Sequence, residues 1–194
     1  MPDIRDSHAG LPDAPVIDLG CGRGEWLELL RDAGMTARGI DVNRIFLNAC
    51  RELNLEVTEQ DALSHLRGLK PDSVGAITSF HLIEHLPLRT LIALLDESLR
   101  VLRPGGLIIL ETPNPGNVLV GSCNFYFDPT HRNPLPAPLT QALLEIRGFT
   151  RTEIRYMHPY DSANHLLPAD QSIQLTLNHF LFGAQDYAVF ASKV

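Results

Sequence analysis

VIDLGCGRG, Val16 to Gly24, is the stretch that decides the fold. Val16–Gly20 is a short apolar run closed by glycine, the length and flank of a buried strand. Gly20, Gly22 and Gly24 follow at once, and GEWLELLRDAG (24–34) then sets Trp26, Leu27, Leu29 and Leu30 at helical spacing before stopping at Gly34. A strand, a glycine loop and a helix in this order form a nucleotide-type site, because glycine lets a ligand approach the backbone closely. The dinucleotide fingerprint G-x-G-x-x-G seats a pyrophosphate on the helix amino terminus. Here G-C-G-R-G is followed directly by Glu25, whose charge repels a pyrophosphate and suits a cationic or zwitterionic ligand.

The same alternation continues outward. TARGIDV (36–42) reads as a second strand, and RIFLNACREL (44–53) as a helix capped by Asn43. LEVTEQD (55–61) is a third strand, ALSHLRGL a short helix, and SVGAITSF (73–80) a fourth strand. A long helix from about 87 to 103 starts at Pro87 and ends at RPGG, and GGLIILETP (105–113) is a fifth strand. This βα alternation predicts an α/β fold, a doubly wound and mostly parallel sheet with helices on both faces. Residues 113–138 break it with six of the 14 prolines, a Pro-rich loop long enough to be functional. A helix (138–148), a strand (150–158), a helix SIQLTLNHFLF and a last strand DYAVFASKV close the chain.

At 194 residues the chain reads as a single domain, with residues 1–14 as an amino-terminal tail. Hydrophobic residues make up 44% and charged residues 20%, which excludes bulk disorder. The net charge of −7, without a block of Lys or Arg, argues against a nucleic-acid partner. Cys21, Cys50 and Cys123 follow no metal-ligand spacing and read as reduced thiols. No apolar run reaches membrane-span length, and the amino terminus resembles no targeting peptide, so the expected setting is cytoplasmic.

Two acids complete the candidate cofactor site. Asp41 ends the second strand, where its carboxylate can accept both hydroxyls of a ribose, and Asp61 with Ala62 lies after the third strand, beside an adenine edge. VIDLGCGRGEWLELL, GIDVN, QDAL, SFHLIEHL and LRPGGLIILETPNP together resemble, in order and spacing, the class I S-adenosylmethionine-dependent methyltransferases over residues 16–115. The resemblance implies seven strands in the order 3-2-1-4-5-7-6 with the last antiparallel, and S-adenosyl-L-methionine as cofactor. It places Asp18, Gly20 and Gly22 against the methionine part, Asp41 with Val42 at the ribose, Asp61 and Ala62 at the adenine, and Ser79 and Phe80 along the other side. Members of this family often carry covering helices ahead of the first strand, so with the short lead before Val16 the site is open on that side, or another loop covers it, or, the reading favoured here, the chain is a domain of a longer, multidomain protein. DPTHRNPLPAPLTQALLEIRGF and FLFGAQDYAVFASK resemble a bacterial subgroup associated with glycan or O-antigen modification, which implies a small-molecule or glycan acceptor.

The octapeptide SFHLIEHL (79–86) raises the chemical question. His81, Glu84 and His85 stand at i, i+3 and i+4, so one helical turn brings them onto one face beside the cofactor. A hydroxyl acceptor needs a general base or a metal, because its pKa lies far above neutral. Three readings follow. The turn is structural; or His81 is the general base, joined by His131 of the Pro-rich loop; or His81, Glu84, His85 and His131 hold a divalent metal. The last is similar to the Glu-x-x-Glu-His motif of small-RNA 2′-O-methyltransferases and ubiquinone O-methyltransferases, with histidine replacing the first glutamate and favouring a softer ion. The whole sequence therefore points to O-methyl transfer to a glycan precursor or another small hydroxyl or phosphate acceptor. Its rivals are a nicotinamide-dependent oxidoreductase and a non-catalytic cofactor-binding module docked on a partner.

Overall fold

The computed structural model describes residues 2–166 and 171–194. In chain order the elements are α1 (Pro2–Asp6), β1 (Val16–Leu19), α2 (Glu25–Asp32), β2 (Ala37–Asp41), α3 (Arg44–Glu52), β3 (Val57–Glu59), α4 (Ala62–Gly68), β4 (Val74–Phe80) and α5 (Leu88–Val101). They continue with β5 (Leu102–Pro113), α6 (Val118–Ser122), α7 (Ala137–Ile146), β6 (Thr150–Pro159), α8 (Ser172–Phe182) and β7 (Ala184–Ser192). The seven strands form one sheet in the order β3-β2-β1-β4-β5-β7-β6. β1 to β5 run parallel, and β7 is antiparallel to both its neighbours, as the family resemblance implied.

The period-2 rule for strands explains the two-sided core. Ile17, Leu19, Ile77, Ile108 and Leu110 point to one face, where Leu66 of α4, Leu91 and Leu94 of α5 and Leu144 of α7 cover them. Val16, Ala76, Leu107 and Ile109 point to the other, under Ile4 of α1 and Leu30 of α2. Burial on both faces is why the central strands read as unbroken apolar runs. α5 buries Leu91, Leu94, Leu95, Ser98 and Val101, the i, i+3, i+4 stripe of a helix lying on a sheet. Asn43 and Asp61 cap α3 and α4 by accepting backbone N–H bonds from Ile45 and Ser64 at 3.0 and 2.9 Å.

Three expectations change. The amino-terminal stretch is not a tail: Ile4 is fully buried, and Arg155 of β6 holds Asp3 through two hydrogen bonds of 2.7 and 3.0 Å while stacking on Phe190. An apolar residue within this short acidic segment was enough to dock it. β5 begins at Leu102, which pairs with Val74, and the Arg103–Gly106 stretch is a register shift inside the strand rather than a turn ahead of it. Finally, the Pro-rich segment holds α6 and a 3-10 turn, Asn124–Phe127, and it is pinned at Phe125 and Leu135, both buried. The Tyr187 hydroxyl fastens its end by donating to the Leu135 carbonyl at 2.9 Å.

Replacing Ile4 by Ala should open a cavity between α1 and the sheet and destabilise the fold by about 2–5 kcal/mol. Urea unfolding measures this, and a change below about 0.5 kcal/mol would show that α1 does not contribute to the core.

Candidate active site

Parallel strands all end at one edge, so the loops after β1, β2, β3 and β4 meet there. Between them lies a cavity of about 240 Å³ lined by Gly20, Asp41, Val42, Asp61 and Ala62 and floored by Leu82, Leu86 and Leu94. A larger open groove, about 660 Å³, lies at the opposite edge, where Arg155 is already paired with both Asp3 and Glu153.

The glycine loop is left-handed at Gly20, Gly22 and Gly24. The last two differ in what they require. A Cβ on Gly24 would stand 2.6 Å from Leu55, so that glycine serves packing. A Cβ on Gly22 would meet nothing within 4 Å, so it is the left-handed backbone and the open approach that call for glycine there. The Asp41 carboxylate fixes this loop, accepting the Gly22 N–H at 2.9 Å on one oxygen and the Asn43 N–H at 2.7 Å on the other. A carboxylate has about four acceptor positions, so two remain for a ligand's hydroxyls.

Four of the expected cofactor residues do not line the cavity. Gly22 is tied to Asp41 through its N–H, Phe80 packs edge-on against Trp26, and the fully buried Ser79 hydroxyl donates to the Leu19 carbonyl. Asp18 is buried beneath the loop, where the Thr78 hydroxyl donates to it at 2.7 Å and Trp26 Nε1 donates in turn to Thr78. Burial pushes the Asp18 carboxyl up to about 7, the Thr78 bond opposing this and the Asp41 charge adding to it.

The octapeptide does not form one turn with a single polar face. His81 takes a left-handed backbone (φ 53°), and a 3-10 turn follows at Ile83–His85. As a result Leu82 and Leu86 face the cofactor cavity while His81, Glu84 and His85 face the other way. The expected four-residue set divides into two clusters, Glu84–His85–His131 and His81–Glu111–Asp186. Glu111 and Asp186 were not found from the sequence. Glu111 follows the apolar run LIIL, so a carboxylate near the end of the fifth strand was a usable signal, whereas Asp186 comes from the antiparallel strand and gives none.

Glu84 is fully buried, with one oxygen accepting the Thr112 hydroxyl at 2.9 Å and the other without a hydrogen-bond partner. That free oxygen lies 3.4 Å from His81 Nδ1 and 3.9 Å from His131 Nε2. His81 Nε2 faces Glu111 at 3.6 Å and Asp186 at 3.9 Å. The carboxylates of Glu111 and Glu84 beside it, partly offset by burial, raise His81 to about 10. His81 is therefore an imidazolium at neutral pH and not the general base expected of it. His131 differs: its Nδ1 donates to the Phe125 carbonyl at 2.6 Å, which leaves the Nε2 lone pair free. His85 is held alike, its Nδ1 2.9 Å from a Thr130 hydroxyl that itself donates to Asp128. A small cavity of about 160 Å³ opens beside His131, bounded by Asn124, Phe125, Gln185 and Asp186.

This geometry has a clear set of relatives. The family model described as "Methyltransferase domain" matches residues 5–167. A crystal structure of an S-adenosylmethionine-dependent methyltransferase from Archaeoglobus fulgidus superposes with a TM-score of 0.88 at 30% identity, covering 97% of this chain and 90% of that one. The ubiquinone biosynthesis O-methyltransferase of Methylococcus capsulatus is 30% identical over 113 residues, 56% of this chain and 47% of its own. A probable S-adenosylmethionine-dependent methyltransferase of Mycolicibacterium smegmatis is 30% identical over 134 residues, 69% of this chain and 51% of its own. The chain thus spans about half the length of these curated relatives. It belongs to the methyltransferase-domain family, and its architecture is that of the class I S-adenosylmethionine-dependent enzymes. The oxidoreductase alternative is set aside by that membership. No helix among the described residues is long and apolar enough to cross a membrane.

Asp18 yields a pH prediction. Its folded pKa, about 7, lies above the unfolded value, so the native state binds the extra proton and stability falls as pH rises from about 4 to 7. Asp18→Asn removes that loss and should be the more stable protein at about pH 8, by up to about 4 kcal/mol, with little advantage at about pH 4. Urea unfolding of both proteins at the two pH values measures it, and an equal difference at both would mean that Asp18 is ionised throughout.

Proposed function

We propose that the chain binds S-adenosylmethionine in the cavity at the carboxyl edge of β1, β2 and β3 and transfers its methyl group to a hydroxyl oxygen. The observation that carries this reading is the division of the octapeptide: Leu82 and Leu86 floor the cofactor cavity, and within the same turn Glu84 and His85 face the cluster at His131. Donor and acceptor chemistry then meet at the end of β4, as an in-line displacement requires. Asp41 would hold the ribose hydroxyls, Asp61 and Ala62 the adenine edge, and Gly20–Gly22 the amino-acid part. Asp18 and Ser79 act from beneath, keeping strand and loop in register.

The acceptor hydroxyl is activated at Glu84, His85 and His131. These residues fit a divalent ion. The free buried oxygen of Glu84 lacks a partner, and both imidazoles are oriented by outer hydrogen bonds that leave Nε2 available. When bound, such an ion lowers the pKa of a hydroxyl in contact with it. In its absence His131 Nε2 is the group placed to take the hydroxyl proton as the carbon–sulfur bond gives way to a carbon–oxygen bond. The cavity beside His131 suits a small molecule or one residue of a glycan precursor, and the O-methyltransferase names of the curated relatives support transfer to oxygen. The buried thiols Cys21 and Cys50 are in keeping with a cytoplasmic setting.

Titration calorimetry with S-adenosylhomocysteine tests the cofactor half. Asp41→Ala should weaken binding by about 1.5–3 kcal/mol, the range for hydrogen bonds to a charged group. Unchanged affinity would remove Asp41 from the site. Turnover against hydroxyl-bearing acceptors tests the other half. His131→Gln should cost about 10²–10⁴-fold with cofactor affinity preserved. Chelator should have the same effect if an ion is used, and none if His131 is the base.

A further inference from the structure

A second compartment lies beside the proposed acceptor site. An apolar groove of about 450 Å³ runs between Pro159–Tyr160 and α8, walled by Leu175 and Phe182. We propose that this groove receives an apolar arm of the acceptor, which is then an amphiphile with its hydroxyl at His131 and an alkyl or aromatic part at α8. The hydroxyl end rests on the methyl-transfer reading, and the apolar end on the groove alone.

Size calls for such a compartment. The cavity at His131, about 160 Å³, is close to the volume of about 150 Å³ that encloses one benzene ring, whereas small-molecule sites commonly start at about 300 Å³. The two spaces are neighbours. Asn124 lines the smaller one and donates its side-chain N–H to the Tyr160 hydroxyl at 2.9 Å, and Tyr160 lines the larger. Gly183 also walls the groove, while Gln185, just beyond it in the chain, walls the cavity. A molecule that fills the His131 cavity and extends past Asn124 therefore enters the groove.

The sheet itself does not need this part of the chain. Pro159 pairs with Ala184 across β6 and β7, an antiparallel join that a two-residue turn could close. Residues 160–183 instead leave the sheet at the edge where β5 ends, since Asp186 pairs with Pro113. They are fastened there by the Tyr160 N–H, which donates to the Phe182 carbonyl at 3.1 Å, and by the Asn117 side chain, which donates to the Gly183 carbonyl at 3.0 Å. A long excursion held at the edge that carries the site is commonly functional.

The chemistry of the walls favours an apolar arm. Leu175, Asn178, His179 and Phe182 line the groove at i, i+3, i+4 and i+7, one stripe of α8. Asn178 spends its amide on Leu166, accepting the N–H at 2.7 Å and donating to the carbonyl at 3.2 Å. Tyr160 and His165 each stand against the Phe182 ring with centroids 6.1 Å apart, so aromatic faces make up much of the surface. Among the described residues no Lys, Arg, Asp or Glu lines the groove. A hydroxyl-rich group placed here would lose water without enough partners, whereas an alkyl or aryl group gains from burial. Ser172–Phe182 carries no Lys or Arg, so its apolar side chains do not form an anchor for an anionic membrane.

Photolabelling with two decanols, one bearing a diazirine at carbon 3 and the other at carbon 9, tests both compartments without turnover. The carbon-9 label should fall on the stripe of Leu175 and Phe182, and the carbon-3 label on residues 124–131. Leu175→Gln puts an amide into the apolar wall and should cut carbon-9 labelling at least about tenfold. Leu177→Gln, exposed on the same helix but outside the groove, should leave it unchanged. Thermal melting confirms that each variant is folded, and S-adenosylhomocysteine titration reports separately on the cofactor. Both labels in place without cofactor binding would keep the amphiphile site and remove the methyl-transfer reading. Three results overturn the proposal: both carbons labelling α8 alone, no saturable labelling, or an equal loss in Leu177→Gln and Leu175→Gln, which would mark a face where two copies meet.

Discussion

Glu84 is the residue on which the end of β4 and the Pro-rich segment are assembled into the proposed acceptor site. Its carboxylate is wholly buried, held by the Thr112 hydroxyl of β5, and its free oxygen looks toward both His81 and His131. Its backbone carbonyl accepts the N–H groups of Arg132 and Asn133 at 2.9 and 3.2 Å, which brings the Pro-rich segment against the end of β4. Together with the Thr130 contact to His85 and the Asn133 side chain on the Leu86 carbonyl, that anchor sets His131, a residue remote in sequence, beside His85. One buried acid therefore joins β4, β5 and the loop into a single centre. Burying an acid costs free energy, which the Thr112 hydroxyl and the two facing imidazoles offset here.

Most of the architecture was legible because each central strand carries one consistent signal. Val16–Leu19, Val74–Phe80 and Leu107–Leu110 are short apolar runs bounded by glycine or turn residues, and the intervening stretches repeat the helical stripe. Where the reading failed, the deciding contacts were remote. Ile4 sits in an acidic, proline-containing segment whose own pattern gives no reason to bury it. Its partners, Val16, Ala76 and Leu107, come from three different strands. The α6 turn and the 3-10 turn within 113–138 likewise depend on Asn117, which caps α6 and also donates to the Gly183 carbonyl at 3.0 Å. Local propensity does not report such ties.

The candidate site was legible in its residue types more than in its geometry. Asp41 and Asp61 were found because acids after strands are local features of the alternation. The octapeptide was misread in one respect, its backbone. A regular helical turn would put His81, Glu84 and His85 on one face, but the left-handed conformation at His81 turns its ring toward β5 and β7. That conformation costs a non-glycine residue roughly 1–2 kcal/mol and is fixed by the His81 N–H bond to the Glu111 carbonyl. Of the carboxylates that raise His81, Glu84 stands within the octapeptide, but Glu111, the strongest, and Asp186 lie far along the chain, where no spacing rule reaches.

Asp18 and Glu84 are both buried acids, and they are handled in opposite ways. Asp18 receives one hydroxyl and no cation, so burial prevails and its carboxyl rises toward neutrality, leaving a group that can be uncharged in the resting protein. Glu84 faces imidazole nitrogens from two directions and helps to hold a proton on His81. The first belongs to the scaffold beneath the glycine loop, where a neutral acid can pack between strands. The second belongs to the proposed acceptor end, where it faces His81 and His131. Two carboxylates with nearly equal burial thus serve different ends because one is surrounded by a hydroxyl and apolar strands and the other by histidines. That distinction, more than the presence of acids, separates the proposed cofactor half of this edge from its proposed acceptor half.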